Sequence, residues 1–470
     1  MNFISWSFAI LLGVAIIGRL TLRSRDQRPR YLTFLLFLSL LFYSWHVPQY
    51  IWILLLSAVV DFWTAQRLGA VKEPLARRLL LAASLIVNLG LLCYFKYADF
   101  FIVSIERVAL ASGFDAVLPR LDLLLPMGIS FYTFQSMSYT IDVYRRVIEP
   151  IGRFSHFLLY VSFFPQLVAG PIVRATEFFP QLAKHRRWTI KTMNEAAALL
   201  VSGFFYKMVC ADNLGFYVDR FWDQGFLSQS ATTAIFLAFC FSMQIFCDFS
   251  GYSRIARGTA LLLGFRIPVN FNAPYLASSF KNFWQRWHIT LSRWLRDYLY
   301  IPLGGNRGSK VRTTINLMLT MVLGGLWHGA GLHFVAWGFL HGAALAVERT
   351  LGLEKNDSKP RTIFVRCSWF LIVQIIVLIS WVLFRTPSLR HGLEFIDTAF
   401  TGSITSLPHG LGFAAVFLIP PLLLHIRSWA SEKGWLPESS GWEQALTVGV
   451  MLALTLTFYG TNNAFIYFQF

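Results

Sequence analysis

Long apolar runs alternate along the chain with short basic interruptions. The first run extends from about Ile4 to Leu20 and closes on Arg19, Arg23, Arg25, Arg28 and Arg30. Residues 31–66 hold two more apolar stretches parted at His46-Val47-Pro48, and Arg67, Lys72, Arg77 and Arg78 follow. A helix needs about 20 predominantly apolar residues to cross a bilayer. These runs therefore predict membrane crossings, with His46-Val47-Pro48 as a hairpin turn. Leu79 to about Tyr94 is expected to lead outward and Leu123–Ile141 to lead back, ahead of Arg145, Arg146 and Arg153. Regular runs return near 313–327, 331–347, 363–384, 411–425 and 443–459, giving about ten or eleven crossings by the length rule.

Between 155 and 310 the apolar stretches are shorter and contain Pro165, Gly170, Pro171, Asp248 and Gly251. Interrupted segments are tolerated at membrane depth where protein or a water-filled cavity surrounds them, so this region predicts re-entrant and interfacial helices beside a cavity. Lipid offers the backbone no hydrogen-bond partners, which makes the expected fold all-α and polytopic, without a sheet of consequence. No internal repeat stands out. The polar stretch Glu354–Arg361 reads as a loop too short to separate two domains, so residues 1–470 are read as a single membrane domain.

Composition sharpens this picture. The chain has 470 residues, of which 56% are hydrophobic and 14% charged, against roughly 25% charged in a soluble protein. The net charge of +17 would suit nucleic acid, but no basic, aromatic-interleaved soluble face carries it. It sits in loops, with a third cluster at Lys184, Arg186, Arg187 and Lys191, and such loops are cytoplasmic by the positive-inside rule. The first run has its basic residues after it, the reverse of a secretory leader, and is read as a membrane helix with its N-terminus outside. Cys93, Cys210, Cys240, Cys247 and Cys367 form no paired motif and read as buried thiols.

The densest candidate chemistry lies in residues 281–300. Trp284, Trp287, Leu291, Trp294 and Tyr298 recur at helical spacing, opposite a polar stripe of Lys281, Gln285, His288, Ser292 and Arg296. The pattern predicts one helix lying at the membrane interface. His328 closes an apolar run among Gly324, Gly325, Gly329 and Gly331, where glycines allow a backbone or substrate close to the imidazole. An ionisable group at that depth is a functional hypothesis by default. His333, Trp337 and His341 follow at spacings of four; without acidic or cysteine partners they read as helix packing rather than a metal site. Asp248, in Gln244–Gly251, needs a partner in its apolar surroundings, and Arg254 or Arg257 is the local choice. No nucleophile elbow or phosphate-binding glycine loop appears.

With these motifs in place, the chain resembles the membrane-bound O-acyltransferase family, in its alginate O-acetylation branch. The resemblance rests on GISFYTFQSMSYTIDVYR at 128–145, FFPQLVAGPIVR at 163–174, and a nearly unbroken run from QIFCDFSGYS through VNFNAPYLASSFKNFWQRWHITLSRWLRDYLYIPLGGNRG to GLWHGAG. WVLFR at 381–385 and the terminal FIYFQF are similar too. The resemblance implies a ring of tilted helices around a central tunnel, lined by the family's invariant histidine at His328 and a second, less strictly kept position at His288. Trp327, Gly329, Arg286, Trp287, Ser292, Arg296, Asn272, Gln244 and Asp248 are the implied tunnel or donor-binding residues. No metal and no tightly bound cofactor is expected.

The resemblance also implies the reaction: an acetyl group, from acetyl-coenzyme A as donor, passes to a hydroxyl destined for an extracytoplasmic polysaccharide. His328 would be the general base and His288 an orienting or donor-binding group, while Arg286, Arg293, Arg296, Arg307 and Lys310 attract the donor's phosphates. A periplasmic esterase-like protein is the implied partner, the bacterial inner membrane the implied location, and membrane lipid the surrounding medium. Three alternatives stay open at this point: acyl transfer from a carrier protein as in teichoic-acid D-alanylation, a transporter of the acyl donor, and a structural subunit without chemistry.

Overall fold

The computed structural model describes residues 2–115, 117–168, 170–184, 186–222, 230–353, 362–404, 410–437, 440–460 and 465. The expected loop Glu354–Arg361 and all of the terminal motif except Phe465 lie outside the described residues. The fold is all-helical, without a strand among the described residues. Two compact units emerge, one formed by residues 1–196 and 256–268, the other by residues 197–255 and 269–470.

The first unit holds α1 (Trp6–Thr21), α2 (Arg28–Ser44), α3 (Ile51–Ala70), α4 (Pro74–Ala111), α5 (Ile129–Tyr144), α6 (Phe154–Ser162), α7 (Phe164–Leu167) and α8 (Ala175–Leu182). The hairpin turn predicted at His46-Val47-Pro48 falls between α2 and α3, where Pro48–Tyr50 forms a single 3-10 turn. The run expected from Leu123 becomes helical only at Ile129, because Gly128 enters at φ +71°, a left-handed conformation that glycine adopts without strain. Inside this unit Asp61 is fully buried yet satisfied: Ser84 Oγ donates to it at 2.5 Å, Asn88 Nδ2 at 2.9 Å, and Ser136 also donates. Such saturation is what makes a carboxylate tolerable away from water.

α9 (Ile190–Phe204), which belongs to the second unit from residue 197 onward, leads through a π-helical segment, Phe205–Ala211, into α10 (Asp212–Trp222). Next come α11 (Ala231–Leu262), part of the second unit as far as Ile255, α12 (Phe280–Arg286), α13 (Ile289–Leu295), another π-helical turn at Arg296–Tyr300, α14 (Lys310–His328), α15 (Leu332–Thr350), α16 (Ile363–Arg385), α17 (Leu389–Thr401), α18 (Leu411–Glu432) and α19 (Gly441–Thr457). The five regular runs expected beyond residue 313 reappear as α14, α15, α16, α18 and α19.

The interruptions expected at Asp248 and Gly251 do not occur. Both residues sit inside α11, a continuous helix of 32 residues. Asp248 is neutralised by Lys207 Nζ at 2.8 Å, which also meets Asp212 at 2.8 Å, so the partner is Lys207 rather than the arginines named from sequence. Arg254 instead donates to Ser202 Oγ at 3.2 Å and lies over the Tyr206 ring. Gly251 gives close contact in place of a break: a Cβ there would lie 2.8 Å from the Gly203 carbonyl oxygen and 2.9 Å from the Lys207 nitrogen. Small residues at such a crossing let two backbones meet where lipid supplies no hydrophobic drive.

Six helical stretches among the described residues are long and apolar enough to cross a membrane: residues 48–70, α4, the α9–α10 stretch 190–222, α11, α16 and α18. The ten or eleven crossings counted from apolar runs include shorter helices such as α1, with 16 residues, and α19, with 17.

Removing Lys207 leaves two buried carboxylates uncompensated. Lys207→Met is expected to cost about 3–5 kcal/mol, read as a lower unfolding temperature of the purified protein in detergent. Adding Asp212→Asn and Asp248→Asn to that variant is expected to recover part of the loss.

Candidate functional site

Both candidate histidines and all of the residues expected to line a tunnel or bind the donor belong to the second unit. The helix expected over 281–300 is broken there. α12 ends at Arg286, Trp287 is extended, and His288 occupies the left-handed region at φ +41° as the N-cap of α13. Histidine tolerates this region better than most side chains, but the conformation is still strained and persists only where its surroundings impose it.

Asn270 imposes it. Its carbonyl oxygen accepts the Ile289 N–H at 2.9 Å, and its side-chain Oδ1 accepts from Thr290 N at 3.2 Å and Thr290 Oγ1 at 2.9 Å. His288 Nδ1 lies 3.2 Å from the same Oδ1, while Asn270 Nδ2 donates to Ser253 Oγ at 3.3 Å. A backbone N–H can only donate, which fixes the Asn270 atom at that position as oxygen and makes His288 Nδ1 the donor to it. The imidazole thus carries its proton on Nδ1, leaving Nε2 as the basic nitrogen.

The consequence for the predicted stripe is specific. Lys281, Gln285, Ser292 and Arg296 line one cavity of about 520 Å³, whereas His288 is turned away and fully buried. The cavity wall also takes Trp284, Ile289, Arg293, Tyr300, Thr320, Met321, Glu348 and Arg349. Of the residues expected to bind donor or line a tunnel, Ser292 and Arg296 are on this wall, as is Arg293 from the cationic set.

Arg286, Asn272 and Trp287 hold the break instead of facing the cavity. Arg286 grips Glu432 through Nη1 at 2.8 Å and Nη2 at 2.7 Å, reaches Asn282 Oδ1 at 3.0 Å, and donates to the Asn272 carbonyl at 3.1 Å. A planar, bidentate pairing of this kind suits arginine and neutralises the charge expected to attract phosphate. Asn272 returns a backbone bond to the Arg286 carbonyl at 3.0 Å, and Trp287 stacks on Phe283 with centroids 5.9 Å apart. Glu348, buried at the other end of α12, accepts the Phe280 N–H at 2.6 Å and the Lys281 N–H at 3.0 Å. A carboxylate at a helix N-terminus satisfies donors that the helix leaves unpaired.

His328 is the last residue of α14 and is 5% exposed. Its ring meets Trp327, Trp337 and Phe384 edge-on, with centroids 5.0, 5.1 and 5.2 Å away. The ring of Trp327 also approaches His288 at 6.3 Å, so this indole stands between the two imidazoles. Of the two close approaches expected from the glycines around His328, Gly325 serves that of a backbone. A Cβ at Gly329 would collide with the Phe334 ring, whereas one at Gly325 would meet the Phe334 carbonyl and the Gly338 backbone, so Gly325 brings α14 and α15 backbone to backbone. Gly329 therefore shapes the histidine's wall and does not itself line the cavity. His341 bonds Ser380 Oγ at 3.0 Å, an interhelical packing contact. Gln244 is buried on α11 and Asp248 is held by Lys207; neither lines the cavity.

Cavity and histidine are nonetheless linked. Met321, on the cavity wall, precedes His328 by seven residues, which places the two on one face of α14 about 10 Å apart along the axis. Trp284, also on the wall, packs against Trp337 at 5.7 Å, and Trp337 against His328. An aromatic partition of two indoles therefore separates a cationic cavity from a buried imidazole. Sequence reasoning missed Thr320, Met321 and Arg349 on this wall; their signal was the helical phase shared by Met321 and His328.

The sequence that carries this arrangement is similar to known proteins. A family model described as membrane-bound O-acyltransferase matches residues 151–395, which include both histidines and the whole cavity wall. The chain is 40% identical over 371 residues to a protein named probable alginate O-acetylase from Pseudomonas aeruginosa, covering 78% of this chain and 69% of that one. It is 35% identical over 437 residues to the peptidoglycan O-acetyltransferase of Helicobacter pylori, covering 87% and 81%. A teichoic acid D-alanyltransferase of Streptococcus thermophilus is 31% identical over 252 residues, covering 50% and 60%.

Asn270 supports the strained backbone at His288. Asn270→Ala is expected to lower stability by about 1–3 kcal/mol, since buried donors lose their acceptor, whereas Asn270→Asp keeps it; thermal unfolding of both variants in detergent checks the difference.

Proposed function

The chain belongs to the membrane-bound O-acyltransferase family and is an O-acyltransferase, and from that premise we propose that it carries an acetyl group from a cytoplasmic thioester toward an extracytoplasmic polysaccharide such as alginate. Its relatives act on polymers of the cell envelope by name, which supports an envelope acceptor here. Acetyl-coenzyme A is the proposed donor, the bacterial inner membrane the proposed location with the N-terminus periplasmic, and a periplasmic esterase-like protein the proposed partner that completes transfer.

The observation that carries the reading is His328, buried behind two tryptophans and in phase with a cationic cavity on the same helix. A volume of about 520 Å³ falls within the range of small-molecule sites, roughly 300–1,000 Å³. Lys281, Arg293, Arg296 and Arg349 on its wall suit the donor's phosphates. The thioester arm then runs along α14 past Trp284 and Trp337 toward His328.

There the acceptor hydroxyl gives its proton to the His328 imidazole as its oxygen attacks the thioester carbonyl. The carbon–sulfur bond breaks, and the thiolate leaves and takes the proton back, so the products are an O-acetyl ester and a free thiol. Neutral imidazole, with an ordinary pKa near 6.5, suits this exchange. The partition keeps bulk water from the thioester, which would otherwise be hydrolysed. His288, fixed by Asn270, positions the Trp327 indole that lies between the two rings.

His328→Ala is expected to reduce acetyl transfer at least about 100-fold in proteoliposomes supplied with labelled acetyl-coenzyme A, in a variant that still folds and unfolds cooperatively; retained transfer in a well-folded variant would favour a transporter or scaffold. Arg293→Gln with Arg296→Gln is expected to raise the KM for acetyl-coenzyme A by about tenfold or more, as lost charge-assisted hydrogen bonds do, with little change in kcat. If an acylated carrier protein supports transfer where acetyl-coenzyme A fails, the donor assignment moves to the D-alanylation type.

A further inference from the structure

A second cationic pocket lies in the first unit, remote in sequence from the histidines and unused by the proposed reaction. It occupies about 530 Å³ and is lined by Arg19, Leu20, Arg23, Ser24, Arg186, Arg187 and Trp188. Four guanidinium groups thus share one wall, and no acidic side chain is among the described residues that line it.

The pocket is held in shape by half-buried contacts. Arg19 Nη2 donates to the Arg186 carbonyl at 2.6 Å, and its guanidinium lies over the Trp188 ring, 5.3 Å from the centroid. Trp188 Nε1 is itself tied to the Leu262 carbonyl at 3.0 Å. Arg19 can pass this close only because residue 264 is glycine at φ +87°, where a Cβ would collide with the guanidinium. Partial burial, and secondarily the neighbouring Arg266, hold the Arg186 pKa below the usual arginine value. Arg266 is already paired with Glu195 at 2.9 Å, and at the pocket rim Asp26 is hydrogen-bonded to Ser24 without being one of the residues that line the wall.

What distinguishes this pocket from an ordinary basic loop is the surface leading to it. Trp6, Ile10, Val14, Ile17 and Leu20 recur every three or four residues along α1 and are all exposed, from 41% to 86%. That apolar stripe is the face a membrane helix turns to lipid, and its last member, Leu20, is part of the pocket wall. A phosphodiester seated among the arginines would leave its acyl chains against Ile17, Val14 and Ile10. Arginine-rich loops face the cytoplasmic leaflet, where anionic lipids attract them.

We propose that the pocket formed by Arg19, Arg23, Arg186, Arg187 and Trp188 is a binding site for a phosphate group, supplied by an acidic phospholipid whose acyl chains lie along the exposed stripe of α1. It shares no residue with the acyl-donor cavity and does not depend on the proposed reaction.

The test is native mass spectrometry of the delipidated full chain in detergent, offered phosphatidylglycerol and phosphatidylcholine at equal concentration. One phosphatidylglycerol is expected to be retained in preference to phosphatidylcholine. Arg23→Gln with Arg187→Gln, both exposed positions, is expected to weaken retention by about fivefold for each charge removed. Arg25→Gln with Arg30→Gln, which removes the same charge from exposed positions off the pocket wall, is expected to leave retention unchanged. Equal retention of the two lipids, or equal loss in both double variants, would overturn the site in favour of diffuse surface charge. Displacement of phosphatidylglycerol by millimolar inorganic phosphate would overturn the lipid assignment and give the pocket to a soluble phosphate; no displacement supports the lipid.

Discussion

The hydrogen bonds that Asn270 makes to the start of α13 are the constraint on which the second unit's chemistry depends. They hold His288 in a left-handed conformation and end α12 at Arg286, so one amphipathic segment becomes two short helices with different faces. The break separates Lys281, Gln285, Ser292 and Arg296, which remain on the cavity wall, from His288, which turns into the interior. Arg286 and Glu432 secure one side of it, and Glu348 caps the far end of α12. Strain of this kind needs surroundings that determine it from several directions. Here they come from α11, α15 and α18 as well as from the segment around Asn270.

Around that break the site divides its labour by polarity. Cations and a serine face the cavity, and indoles and phenyl rings enclose the imidazoles. A thioester donor asks for both: charge to hold its phosphates, and a dry, oriented chamber where an alcohol meets the carbonyl. The backbone contact between α14 and α15 at Gly325 and Gly338 fixes where the chamber ends, since His328 closes α14 and Phe334 lies in the first turn of the next helix.

Much of the helical order was legible because its determinants are local. An apolar run bounded by arginines or by Val47-Pro48 declares a helix and its end without reference to the rest of the chain. His328 stood out for the same reason, as an ionisable group at the end of such a run. The continuity of α11 was not legible, because Asp248 looks like a break until Lys207, supplied by a different helix, neutralises it. Gly251 likewise reads as a breaker until Gly203 is seen against it. The break at His288 was hidden too: nothing in the regular tryptophan spacing reveals that Asn270 captures Ile289 and Thr290 from outside the segment. The family resemblance located both histidines but did not distinguish Arg286, which clamps, from Arg293 and Arg296, which face the cavity.

The central claim is that a donor held by the cationic cavity delivers its acyl end to His328. A cryo-electron microscopy structure of the protein with a non-hydrolysable thioether analogue of acetyl-coenzyme A tests it most directly. The account predicts phosphates against Lys281, Arg293 and Arg296, with the acyl end beyond Trp284 and Trp337 in contact with the His328 ring. An analogue bound with its acyl end elsewhere, and an indole partition still closed over His328, would contradict it.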